Sequence, residues 1–188
     1  MSSAIGRVST RQLGLWILFV SLSVLFTASL VAYLVTRYNN VIWRTPEMPD
    51  LPAGLYGSTA MLIGLSAAMW RAQRDVQANK TDSVVRDLWI ALAFGLAFLF
   101  GQSLNWAVMS KALREGEPTM YPFTFYMLTG LHAAHVLGGF VPLGIVIGRA
   151  QRRRYSSSEH EGLRLCRQYW DYLFVVWLVL LAALHLAT

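Results

Sequence analysis

Five stretches of this chain are long enough and free enough of charge to cross a lipid bilayer. Residues 13–36, 51–70, 88–110 and 118–148 contain no Asp, Glu, Lys or Arg, and residues 168–188 contain one such residue, Asp171. About 20 apolar residues span the hydrocarbon core as an α-helix. Lipid offers no partner to an open backbone N–H or C=O, so each run satisfies its own backbone by coiling. The pattern predicts an all-α polytopic membrane protein, a single domain built as a bundle of five transmembrane helices. Their expected positions are residues 13–37, 51–71, 86–110, 120–148 and 168–187. Only 14% of the residues are charged, against about 25% in soluble domains. The first run exceeds the apolar core of a signal peptide, and no small-x-small cleavage site follows it, so it is read as a retained helix.

The basic residues set the orientation. Arg7, Arg11, Arg71, Arg74, Lys80, Arg86, Arg149, Arg152, Arg153, Arg154, Arg164 and Arg167 fall before the first helix or in the second and fourth loops. The first and third loops hold only Arg37, Arg44, Lys111 and Arg114. The positive-inside rule then puts the N-terminus in the cytoplasm and the C-terminus outside, in what reads as a bacterial plasma membrane. The net charge of +6 is on this reading a membrane-surface feature. Nucleic-acid binding would need a basic face on a fold of its own, and no such segment exists. Arg152, Arg153 and Arg154 are either topology determinants or contacts for anionic lipid head groups. The lone Cys166 cannot form an internal disulfide, and no Cys-x-x-Cys-His site for covalent haem is present.

Against this apolar background the polar residues at membrane depth stand out, because such groups are costly and usually buried among helices. His132 and His135 lie one turn apart in "FYMLTGLHAAHVLGG". Two ligands at that spacing on one helix cannot clasp opposite faces of a haem. His160, Asp171 and His185 are too far along the chain to complete a metal shell with them. The pair is therefore expected to be structural. Gln102 and Asn105, in the outer half of the third helix, are its expected hydrogen-bond partners, at about 0.6 kcal/mol per bond. The helical period places His132, His135 and Gly139 on one stripe of the fourth helix and Gly130, Ala134 and Gly138 on roughly the other, which predicts a helix packed on both sides. Pro118 and Pro122 suit its first turn.

"FYMLTGLHAAHVLGG" also resembles the helix signature of subunit III of the haem–copper terminal oxidases, the cytochrome c and quinol oxidase family. "LGLWILFVSLSVLF" is similar to the family's first shared helix. "LYGSTAMLIGLS" is similar to the next, with Ser58-Thr59 where Asn-Thr is usual. "GLAFLFGQSLNW" resembles the glutamine helix through Gly95, Phe98, Leu99 and Gln102. "YWDYLFVVWLVLL" resembles the closing helix through Tyr169, Trp170, Val175, Val176 and Trp177. Leu22, Asn105, Asp171 and Phe174 stand where the family commonly carries Glu, Glu, His and Asp. The resemblance implies the short, five-helix form of an accessory subunit. Such a subunit packs on catalytic subunit I, stabilises it during aerobic electron transport and proton pumping, and holds phospholipid. Haem and copper sit in its partners, none in this chain. An accessory subunit associated with nitric oxide reductase is the alternative within the family, and a b-type haem protein the alternative outside it.

Overall fold

A computed structural model describes residues 9–43, 50–115 and 120–186. Arg7, Arg44 and Pro118, and the side chains of Lys111 and Arg114, lie outside the described residues. The described residues form five α-helices and no strand: α1 (Thr10–Asn39), α2 (Gly54–Gln77), α3 (Thr81–Glu115), α4 (Met120–Gln151) and α5 (Glu161–Leu186). All five expected helices are present. They outrun the charge-free stretches mainly at the arginine-rich end, where α2 continues to Gln77, α3 starts at Thr81 and α5 starts at Glu161. Charge stops a segment from lying in hydrocarbon, but Arg, Gln, Asp and Glu are ordinary helix residues in the head-group layer.

The helix ends follow local chemistry. Ser9 caps α1 by accepting from the Gln12 N–H at 3.1 Å. α2 ends in a Schellman motif: Lys80 N bonds Asp75 O at 2.9 Å and Asn79 N bonds Val76 O at 3.1 Å, with Asn79 at φ 55°. α4 ends the same way, through Arg154 N to Arg149 O at 3.1 Å and Arg153 N to Ala150 O at 2.9 Å, with Arg153 at φ 51°. Asn tolerates the left-handed conformation; Arg153 adopts it although a Gly would carry less strain. Pro142 lies within α4 without ending it.

α2, α3, α4 and α5 close a ring in that order, with α2 against α5, and α1 lies outside against α4 and α5. The most extensive pairing is α2 with α3, which follows from the tight turn between them. Four helices, α1, α3, α4 and α5, are each long and apolar enough to cross a membrane. α2 is more polar, with Ser58, Thr59 and Ser66 inside and Arg71, Gln73 and Arg74 near its end. The core is aromatic at its centre, where Trp170, Trp177, Phe98, Phe125 and Tyr121 are fully buried. α1 contributes only Leu22, Phe26 and Tyr33 to it.

One expectation fails within the chain. α4 buries His132, Ala133, Val136, Gly139 and Leu143, but Ala134 and Gly138 are exposed and Gly130 is half-buried. Its neighbours α1, α3 and α5 meet it mainly on the histidine side, and among the described residues no further helix covers the other. The packed side is tight: a Cβ on Gly139 would come within 2.9 Å of both the Trp170 and Tyr169 rings. On the bare side, a Cβ on Gly144 would meet nothing within 4 Å.

Candidate functional site

The polar groups held at membrane depth form two layers inside the ring. In the outer layer, Ser58 of α2 meets Gln102 and Asn105 of α3, all three buried. Ser58 Oγ donates to Gln102 Oε1 at 3.4 Å, and Asn105 Nδ2 donates to Ser58 Oγ at 3.3 Å and to Gln102 Oε1 at 3.2 Å. Gln102 and Asn105 are one turn apart and share a face. Asn105 lies over the first residue of α2, and a Cβ on Gly54 would collide with its amide oxygen.

The second layer holds His132, with no exposed surface. Its ring centre lies 5.2 Å from Trp177 of α5, 5.7 Å from Phe98 of α3 and 6.2 Å from Phe26 of α1. Neither ring nitrogen has a hydrogen-bond partner among the described residues. The bond from His132 to Gln102 or Asn105 is therefore not made. Trp106 Nε1 donates to Thr129 Oγ1 at 2.9 Å, and Tyr126 Oη donates to Trp106 O at 2.6 Å. Those ties join α3 to α4, while the amide oxygen of Gln102 accepts from Ser58 of α2 and from Asn105. His135 satisfies its Nδ1–H on the Leu131 carbonyl of its own helix at 2.7 Å and sets its ring 5.1 Å from Phe26.

Several ties between helices use hydroxyls and indoles. Trp177 Nε1 donates to Thr59 Oγ1 at 2.9 Å, joining α5 to α2. Tyr169 Oη donates to the His135 carbonyl at 2.9 Å, joining α5 to α4. Ser66 Oγ donates to Asp171 Oδ1 at 2.7 Å, and Arg167 of α5 pairs with the other oxygen at 3.2 Å. Sequence reasoning passed over Thr59, Thr129 and the tryptophans as partners. The available signal was that Trp and Tyr at membrane depth bring a donor that must be met. Among the described residues no three of His, Cys, Asp and Glu converge as a metal-binding group.

The three consecutive arginines have different surroundings. All are exposed. Arg153 pairs with Asp82 at 3.3 Å. Arg154 joins Arg11 and Arg149 around a cavity of about 630 Å³ closed by Tyr155, Ser158, Glu159, Glu161 and Gly162. Burial pushes the Tyr155 phenol above its ordinary range, so it adds no negative charge to that cavity at neutral pH. Arg152 does not line it.

A family model described as cytochrome c oxidase subunit III matches residues 11–187. A protein of Thermostichus vulcanus named cytochrome c oxidase subunit 3 is 31% identical over 95% of this chain and 88% of its own length. One of the same name from Synechocystis sp. is 29% identical over 96% of this chain and 77% of its own. One from Tetraodon nigroviridis is 24% identical over 90% and 67%. These matches cover every helix, and they favour the oxidase reading over the one associated with nitric oxide reductase. The chain belongs to the cytochrome c oxidase subunit III family, the accessory membrane subunits of haem–copper oxidases.

Proposed function

We propose that this subunit packs on catalytic subunit I of a respiratory haem–copper oxidase and stabilises it during turnover. In this reading the redox centres, haem and copper, lie in the partner subunits. The observation that carries it is the filled interior. Phe98, His132 and Trp177 bring three rings from α3, α4 and α5 within 5.2–5.7 Å of one another, centre to centre. A tetrapyrrole between those helices would need that space. His132, His135, Gln102 and Asn105 then serve packing. Trp16, Ile17, Val20 and Val24 of α1 and Leu137, Val141 and Ile145 of α4 face outward, a surface suited to lipid or to a partner's helices. The subunit is assigned to the bacterial plasma membrane, N-terminus in the cytoplasm. The cavity of Arg11, Arg149 and Arg154 is read as a site for a phospholipid head group, supported by three cations around one opening.

Deleting the gene and purifying the remaining complex tests this. Haem spectra and initial oxygen reduction should persist, while activity decays faster during turnover than in the intact complex. Immediate and complete loss of oxygen reduction in a complex that keeps all its haems and copper would overturn the reading.

A further inference from the structure

The segment between α4 and α5 carries three consecutive serines, Ser156, Ser157 and Ser158, directly after the arginine run and Tyr155. Their side chains have different tasks. Ser156 Oγ accepts from the Glu159 N–H at 3.1 Å and so closes a turn. Ser157 is held by Asn79 of the α2–α3 turn, which accepts from the Ser157 N–H at 3.0 Å and donates to its Oγ at 3.4 Å. Ser158 ties down nothing beyond its own loop. Among the described residues its hydroxyl meets Ser156 Oγ alone, at 3.0 Å. Ser158 is exposed, and it lines the cavity of Arg11, Arg149 and Arg154. The charge around that cavity favours an anion. Of its two carboxylates, Glu161 accepts from Ser9 and is shared by Arg11 and by Arg164 outside the cavity, at 3.7 and 3.9 Å. Arg149 and Arg154 make no ion pair among the described residues. Gly162, in the first turn of α5, forms part of the wall, and the first N–H groups of a helix favour negative charge.

We propose that Ser158 is a phosphorylation site, and that its phosphate turns into this cavity and ties the α4–α5 loop to Arg11, Arg149 and Arg154. The inference rests on the reading that this end of the bundle is cytoplasmic, where nucleoside triphosphates are available. In the reaction, Ser158 Oγ attacks the γ-phosphorus of ATP held by a cytoplasmic protein kinase. The new Oγ–P bond forms as the bond from that phosphorus to the bridging oxygen of the β-phosphate breaks. The hydroxyl proton passes to the kinase's base and ADP leaves. Arg152, Arg153 and Arg154 precede the serine in one exposed run, a charge pattern that an acidic substrate groove on a kinase can read. Phosphoserine adds a charge of about −1.5 to −2 and three acceptor oxygens, and guanidinium forks engage such oxygens in pairs. Ser156 and Ser157 are poorer acceptors, because their oxygens already hold the turn and the tie to Asn79. The added phosphate fills the same opening that is read above as a head-group site, so the two would exclude each other.

The test uses inverted membrane vesicles that hold the intact oxidase complex, incubated with ATP and the cell's own cytosol, beside complex isolated directly from cells with phosphatase inhibitors. Trypsin cutting after Arg154 and Arg164 releases Tyr155–Arg164, which contains all three serines, and fragmentation in a mass spectrometer assigns the phosphate. It is expected on Ser158 and absent from the Ser158→Ala variant. The second readout is the rate of the cut after Arg154 in the folded subunit. A phosphate held by arginines restrains the loop, so phosphorylation should slow that cut about tenfold. Arg149→Gln should still be phosphorylated, with an unchanged haem spectrum, but should lose most of the protection. Phosphate on Ser156 or Ser157 alone, or on no serine in either preparation, would overturn the proposal. An unchanged rate of cutting would overturn it too, as would full protection in both Arg149→Gln and Arg11→Gln, because the phosphate would then lie elsewhere. Each of these results, with the loop open to trypsin in inverted vesicles, leaves the oxidase-subunit reading intact. A loop cut in intact spheroplasts and shielded in inverted vesicles would count against the orientation, and the proposal would fall with it.

Discussion

His132 is the residue at which pattern and structure part most clearly. It is fully buried among Phe98, Trp177 and Phe26, and its nitrogens meet no partner among the described residues. A buried polar group without a bond contributes little stability, and an apolar group of similar shape often does as well. His132→Leu is therefore expected to change unfolding stability in detergent by less than about 1 kcal/mol. Its effect should add to that of Gln102→Leu within about 0.5 kcal/mol. A coupling above about 1 kcal/mol in that double-mutant cycle would restore the direct bond. Thr59→Val and Trp177→Phe, by contrast, remove the two ends of one hydrogen bond. Their cycle should show a coupling of roughly 0.6–1.7 kcal/mol, the range for bonds between membrane helices.

α4 shows how one helix carries two different surfaces. On the inner side the α5 rings need the missing side chain of Gly139, because any Cβ there would come within 2.9 Å of them. Gly139→Ala should destabilise the subunit by about 1–3 kcal/mol, the usual cost of overpacking. Gly144→Ala meets nothing within 4 Å and should leave the isolated subunit as stable or slightly more so, since Ala is the better helix former. Thermal unfolding of both variants checks the contrast. Equal losses would mean that the outer side of α4 is packed as tightly as the inner. The helical period separated these two stripes in the sequence. It could not say that only one of them would find a neighbour within the chain.

At the scale of the molecule, α2 decides the topology. It is the one helix whose polarity leaves it outside the set that crosses a membrane by length and composition alone. Yet only Ala78–Lys80 separate it from α3, so it must run back antiparallel beside α3, and it closes the ring against α5. Its seryl and threonyl hydroxyls meet Gln102, Trp177 and Asp171, so its polar face turns to protein and lipid need not accommodate it. Five crossings would put the termini on opposite sides. Reporter fusions should find the N-terminus in the cytoplasm and the C-terminus outside; both termini on one side would show that α2 does not cross.

The helix count, the order of the helices, the all-α class and the family signature were legible in the sequence. Each depends on a local property: a run free of charge, a length that matches hydrocarbon, a motif within one helix. The partners of the polar groups were decided only in three dimensions. Period tells which residues share a face, but not which helix that face will meet or how far one helix slides along another. Gln102 and Asn105 meet Ser58 of α2, and His132 meets aromatic rings of α3 and α5. The three arginines at 152–154 are contiguous in the chain, yet the α4 cap turns Arg154 toward Arg11 and Arg149 and Arg153 toward Asp82. Trp70 and Arg74 meet Arg167 only because the ring closes α2 on α5. Long-range packing sets such pairings, and packing depends on every helix at once.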